Sequence, residues 1–282
     1  MLKKQDFTYY LGWLTLSFLG ISIISGVALL FRYDPTTFQK AQDSMFLISD
    51  AYSFGWLIRS AHFYSSELFF IFLIIHTVWH VYLEDYKDKK YVYWLALVAI
   101  IVIAFFEMFT GFVLKANNEG DFASLIMQHI ILSTPFFGQY IVGLFYSQEY
   151  PSIYFYFYHI CILPFVLILL NYYHIKRMFT SFENTLIAFF ATIFLSVFFS
   201  LSAPYDVVSS AKHPIIWGPW FFWSIQWSLF YIAPFIAGII LPILGLSTLA
   251  LLPNQKFYFL KRVFLVGIVL YFIIIFYIML FR

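Results

Sequence analysis

The chain has 282 residues, 63% of them hydrophobic and 11% charged, with a formal net charge of +2. Soluble domains are roughly half apolar and a quarter charged, so this composition excludes an ordinary soluble enzyme and identifies an integral membrane protein. The small net charge gives no reason to expect nucleic acid as a partner, and the single Cys161 excludes an internal disulfide or a haem attached through a C-x-x-C-H motif.

Apolar stretches of about 20 residues without two-residue alternation predict an all-α bundle rather than a barrel, because lipid leaves backbone groups no partner outside the helix. Seven transmembrane helices are predicted, over 9–32, 56–83, 91–114, 152–175, 183–203, 219–247 and 260–281. Met1–Phe7 is short and polar, so no cleavable signal peptide is expected before the first span. That span carries Gly12 and Gly26; the second carries Arg59, His62, Glu67 and His76; the third carries Glu107 and Gly111; the fourth carries His159 and His174. Lys115–Pro151 is the longest connection, and Phe122–Leu132 within it is expected as a surface helix.

Ten of the sixteen Lys and Arg residues are Lys3, Lys4, Lys87, Lys89, Lys90, Lys176, Arg177, Lys256, Lys261 and Arg262. All fall before the first span, in the second–third, fourth–fifth and sixth–seventh connections, or in the first turn of the seventh span beside the last of these. Seven alternating spans put these on one face, which the positive-inside rule assigns to the cytoplasm. The expectation is a multi-pass protein of the inner (cytoplasmic) membrane, with its N-terminus cytoplasmic and its C-terminus outward.

His62 and His76 are 14 residues apart, and His159 and His174 are 15 apart. At about 1.5 Å per residue each pair spans roughly 21–22 Å, placing one histidine toward each side of a hydrocarbon layer about 30 Å thick. The second and fourth spans run in the same direction, so His62 is level with His159 and His76 with His174. Buried histidines can simply hydrogen-bond between helices, but four at paired depths on parallel helices favour two stacked metal or haem sites, each clamped by two imidazoles. Gly12 and Gly26 fall near the two levels, where a missing side chain admits a flat macrocycle. Gly111 serves the outer level similarly, but the residue 14 before it is Leu97.

The segment Gly55-Trp56-Leu57-Ile58-Arg59-Ser60-Ala61-His62 with His76 resembles the start of the second helix of the cytochrome b family of quinol-oxidising bc complexes. Tyr158-His159 with Leu163-Pro164 and His174 is similar to its fourth helix, with the 15-residue spacing of the photosynthetic branch. Ser25-Gly26 with Gly12, and Gly111-Phe112-Val113-Leu114, are similar to its glycine motifs. The resemblance spans about residues 9–178. It implies a dihaem four-helix bundle over 1–178 and a three-helix C-terminal region over 179–282, with two b-type haems: an outer, low-potential one on His62 and His159 and an inner, high-potential one on His76 and His174. Arg59 would pair with an outer haem propionate.

The departures cluster at the outer quinol site. Where the family carries Pro-Glu-Trp-Tyr, Trp217-Gly218-Pro219-Trp220 has Pro219 in place of the glutamate when anchored on Trp220, and where it continues Pro-Trp-Gly-Gln this chain reads Lys115-Ala116-Asn117-Asn118. At the inner haem an arginine gives way to Trp79-His80, leaving Lys176, Arg177 or His80 to meet the propionates. Tyr10 stands near the cysteine that carries an extra haem in photosynthetic members, so that haem is not expected.

Glu67 and Glu107 are intramembrane acids in the outer half and candidates for proton transfer; the alternative is a protonated glutamate bonded to a neighbouring helix. His129 and His213 are expected as solvated or interface residues. The functional expectation is electron transfer between the quinone pool and an outward-facing redox partner. That partner would be a Rieske-type iron–sulfur protein with cytochrome c, or another redox protein served by an altered outer site. Lipid and quinone are the other expected partners, and a homodimer is allowed. The competing reading is a non-catalytic haem-binding anchor for partner subunits.

Overall fold

The computed structural model describes residues 4–87, 90–146, 152–175, 181–206, 215–254 and 258–281. Lys3, Lys89, Lys176, Arg177, His213 and Lys256 lie outside them. Among the described residues five helical stretches are long and apolar enough to cross a membrane: Phe7–Leu30, Gly55–Leu83, Tyr91–Val113, Ile153–His174 and Leu260–Phe281. They belong to α1 (Lys4–Leu30), α3 (Gly55–Leu83), α4 (Tyr91–Val113), α7 (Ser152–Phe157) with α8 (Leu163–Ile175), and α12 (Leu260–Phe281). Large apolar side chains remain exposed along them, such as Ile273, Phe276 and Leu280 on α12. Lipid covers such a surface without cost, whereas water would not.

α1 packs along α3 and α4 along α8, with α3 and α4 adjoining, so the first four spans form one bundle. Hydroxyl groups inside it are satisfied without water. Thr15 and Ser25 donate back to the carbonyls of Leu11 and Ile21, and Ser22 and Ser66 bond across α1 and α3 at 2.7 Å, a contact worth about 1 kcal/mol in a membrane bundle. α3 starts abruptly. Phe54 takes a left-handed conformation (φ 61°), and a Cβ on Gly55 would lie 2.1 Å from the Ile48 carbonyl oxygen, so only glycine fits where the helix meets the preceding turn.

The fourth span contains a wider π-helical turn, Tyr158–Ile162, closed by Leu163 N–H on Tyr158 O. Two residues on, Pro164 has no N–H for an ordinary bond to Ile160, which favours a wider turn there. In an ideal α-helix 14 residues return to within about 40° of the same face and 15 overshoot by about 60°. The π turn absorbs one residue, so the 15-residue spacing of His159 and His174 keeps the register of the 14-residue spacing on α3.

The described connections after the first and third spans are ordered. α2 (Phe38–Phe46) is capped by Thr37, whose side chain accepts from Lys40 N–H. α5 (Asn118–Leu132) is capped by Asn117 accepting from Gly120 N–H, with Glu119 and Asp121 in the first turn facing its positive end. α5 includes the segment expected as a surface helix, and α6 (Gly138–Phe145) follows it.

Two expected spans need correction. The fifth, α9 (Phe182–Phe198), packs against α1 and α3 and stops five residues before the expected 203; Leu201–Asp206 is non-helical instead. The expected single helix over 219–247 is two pieces. A short 3-10 turn (Trp220–Phe222) and α10 (Trp223–Ser228) end before a turn, and helix resumes at Pro234, through the π-helical turn Ile236–Ile240 into α11 (Leu241–Leu251). Proline is tolerated at a helix start but not in its interior, so Pro234 marks a new beginning inside the apolar run.

α12 is tied to the bundle at one end, where Lys261 Nζ donates to Glu84 Oε1 at 2.7 Å and to the Tyr82 carbonyl. This joins the second–third connection to the start of the last span, which places two of the lysine-bearing segments on one face.

Candidate functional site

His62 on α3 and His159 on the π turn come together as expected at one level. Their ring centroids are 6.1 Å apart with planes at 89°. Two metal–nitrogen bonds of roughly 2 Å plus the two ring radii give about 6 Å, the spacing of imidazoles clamping one metal. Each ring is oriented through Nδ1. His62 Nδ1 is 2.9 Å from Ser22 O and 3.4 Å from Ser25 Oγ. His159 Nδ1 is 3.1 Å from both Glu107 O and Thr110 Oγ1. A backbone carbonyl on Nδ1 fixes the tautomer that leaves Nε2 as the ligating atom.

Glycine makes room for these rings. A Cβ on Gly26 would lie 2.9 Å from His62 Cε1, and one on Gly111 would lie 2.8 Å from His159 Cε1. Around the pair opens a cavity of about 580 Å³, lined by Arg59, Glu67, Glu107, Gly26 and Gly111 among others. This donor set and this space would admit a flat macrocycle held by His62 and His159.

Arg59 is buried and lines the cavity. Its Nη1 donates to Ser49 Oγ at 3.1 Å and to Ser202 O at 2.7 Å. The non-helical stretch after α9 thus lies over the cavity, with Leu201 N–H held by Ser60 Oγ. Nothing in the apolar pattern of the fifth span announced this strap. Ser22 and Thr110 were also missed, although hydroxyl residues three or four positions before the paired glycine, or directly before it, were a usable signal.

The two glutamates both face this cavity. Glu107 Oε1 is 3.4 Å from His159 Nδ1, and its Oε2 is buried with no hydrogen-bond partner among the described residues. Glu67 Oε2 accepts from the Trp220 indole N–H at 2.6 Å. Lys115, from the rewritten stretch, lines the cavity too. It pairs with Glu119 at 2.6 Å and covers the Phe112 ring, while Asn117 is buried as the α5 cap.

At the inner level a Cβ on Gly12 would stand 3.1 Å from His76 Cε1, and His174 Nδ1 is 3.3 Å from Tyr93 O. The His76 ring meets the His80 ring edge-on at 4.4 Å. His80 is buried and its Nδ1 is held by Asp85 at 2.8 Å, so that nitrogen is already engaged. His129 lies near the end of α5, apart from the residues lining the outer cavity.

A helical membrane bundle with a bis-imidazole pair between its second and fourth spans defines a class of membrane redox proteins. Residues 2–182 match the family described as Cytochrome b/b6/petB, and the chain belongs to that family. It is 34% identical over 137 residues to cytochrome b6 of Prochlorococcus marinus (strain MIT 9515), covering 48% of this chain and 62% of that protein. The cytochrome b6 of Synechococcus sp. (strain RCC307) matches with the same identity and coverage. The match thus spans less than two thirds of these relatives' length. The fold is similar to a chain of a solved structure described as "Hyperthermophilic respiratory Complex III", with a TM-score of 0.72 over 87% of this chain and 75% of that one, at 20% identity.

Proposed function

We propose that this chain is a dihaem cytochrome b that carries electrons between the quinone pool and an outward-facing redox partner, as the membrane subunit of a bc-like oxidoreductase. The observation that carries the reading is the His62–His159 pair, 6.1 Å apart with both Nδ1 atoms turned to backbone carbonyls. His62 and His159 would hold an outer b-type haem, and His76 and His174 an inner one, within residues 1–178, with 179–282 packed beside them. The haems supply one-electron transfer across the membrane. Ser22 and Glu107 carbonyls orient the ligands, Gly12, Gly26 and Gly111 leave room beside them, and Arg59 offers its charge to a propionate.

Quinol oxidation releases protons as well as electrons, and the outer cavity holds two candidate acceptors, Glu67 and Glu107. The loss of the carboxylate at Pro219 and the Lys115–Asn118 sequence favour an outward partner other than the usual Rieske-type protein with cytochrome c. The site lies in the cytoplasmic membrane with the lysine-rich face inside.

The test is to purify the native complex, identify its co-purifying subunits and record quinol-reduced minus oxidised spectra. About two b-type haems per chain, reduced by quinol and blocked by quinone-site inhibitors, are expected. Absence of haem overturns the reading; haem that quinol cannot reduce makes the chain a haem-binding anchor instead.

A further inference from the structure

The two intramembrane glutamates share a cavity but have different neighbours. Glu107 is engaged with the ligand candidate itself: its Oε1 lies 3.4 Å from His159 Nδ1, and its own carbonyl is 3.1 Å from the same atom. A carboxylate beside the distal nitrogen of a metal-binding imidazole orients the ring and strengthens it as a donor. Glu67 is held from elsewhere. The indole N–H of Trp220, 153 positions away in sequence, donates to its Oε2 at 2.6 Å. Among the described residues Glu67 Oε1 has no hydrogen-bond partner, and the side chain lines the cavity.

We infer that Glu67 accepts the proton of a hydroquinone bound beside the haem, where Glu67 and Phe221 line the cavity, and that Trp220 is its positioning residue, while Glu107 serves His159. The inference rests on the quinol reading above and assigns its proton. The hydroquinone O–H points at Glu67 Oε1. The O–H bond breaks heterolytically, the proton forms the carboxylic acid, and the bonding pair stays on the hydroquinone monoanion, so no electron leaves in this step. Trp220 suits the task because an indole N–H only donates. Glu67 Oε2 accepts from it whether Oε1 carries a proton or not, so the acceptor keeps its aim through the transfer. Trp220 follows Pro219, the position that lacks the family's glutamate, and the carboxylate bonded to that segment comes from α3 instead.

The experiment uses the native complex and a short-chain hydroquinone in stopped-flow reduction, with haem content and midpoint potentials measured on the same samples. Glu67→Gln is expected to keep both haems and both potentials, to leave KM near wild type, and to lower the limiting reduction rate about 100-fold or more, the usual worth of a positioned proton acceptor. Glu67→Asp is expected to recover part of that rate, and Trp220→Phe to lose several-fold. If Glu67→Gln fails to assemble, a lowered limiting rate in both Glu67→Asp and Trp220→Phe supports the assignment, and a wild-type rate in both overturns it. Glu67→Gln reduced at the wild-type rate overturns it directly, as does a rate loss in Glu67→Gln that is accompanied by a shifted outer-haem potential. A wild-type complex that hydroquinone does not reduce removes the quinol reading and the inference together, so the two failures are distinct.

Discussion

The outer and inner halves of the four-helix bundle hold their histidines in different settings. The outer pair borders a cavity of about 580 Å³ that holds an arginine, two glutamates and the Lys115–Glu119 pair. The inner histidines have ring and backbone neighbours: His76 lies against His80, His174 near the Tyr93 carbonyl, and Leu97 is fully buried where a fourth glycine would repeat the pattern. The contrast separates two tasks. Holding a cofactor needs rings and close backbone, which both levels have; exchanging protons with a substrate needs space and acids, which concentrate at the outer one.

The largest expected effect breaks one level and spares the other. His174→Gln should remove the inner haem and leave the outer, halving haem per chain in a reduced-minus-oxidised spectrum, and His159→Gln should do the reverse. Equal loss of both haems from folded protein by either variant would contradict the pairing. Next come the glycines. Gly111→Ala and Gly26→Ala place a Cβ at 2.8 and 2.9 Å from a ligand carbon, Gly12→Ala at 3.1 Å. Overpacking of this kind costs about 1–3 kcal/mol, so the outer-level variants should lose haem at lower temperature than Gly12→Ala. An inverted order would show that the inner level is the tighter one.

A smaller effect is expected at Glu107. Replacing the carboxyl beside His159 with an amide in Glu107→Gln should shift the outer midpoint potential by on the order of tens of millivolts, as a change of hydrogen bonding to a ligand does, and leave the inner one unmoved in a redox titration. The smallest effect lies at the lysine-rich face. Lys261, then Lys87, donate to the exposed Glu84 carboxylate and hold it down at about 2. A carboxylate lowered on folding stabilises the protein above its ordinary value, and that contribution is lost as pH falls toward 2. The thermal stability difference between wild type and Lys261→Met should therefore be present at pH 7 and shrink at pH 3; a difference that grows on acidification would contradict the pairing.

Much of this was legible because membrane helices write their length and their polar residues openly. Apolar runs gave the long spans, spacing put His62 level with His159, and glycines recurring at one spacing marked where backbone approaches the rings. The failures have a shared cause. Pro234 and the stretch after Phe198 sit inside apolar sequence that reads as continuous helix, and only the tertiary arrangement decides where helix stops and a strap crosses a cavity. Trp220 and Glu67 meet from distant segments, a pairing that no local pattern encodes. Arg59 was expected to meet a propionate, and its bond to the Ser202 carbonyl depends on that same strap.

The π turn at Tyr158–Ile162 carries a lesson about how such sites tolerate change. A one-residue insertion in a straight helix would rotate everything beyond it by about 100° and scatter the ligands around the axis. Here the surplus is taken up in a single wide turn that contains His159 itself, beside a proline that already lacks the bond being given up. What is kept constant between the two helices is a direction in space, and the number of residues used to reach it is free to differ.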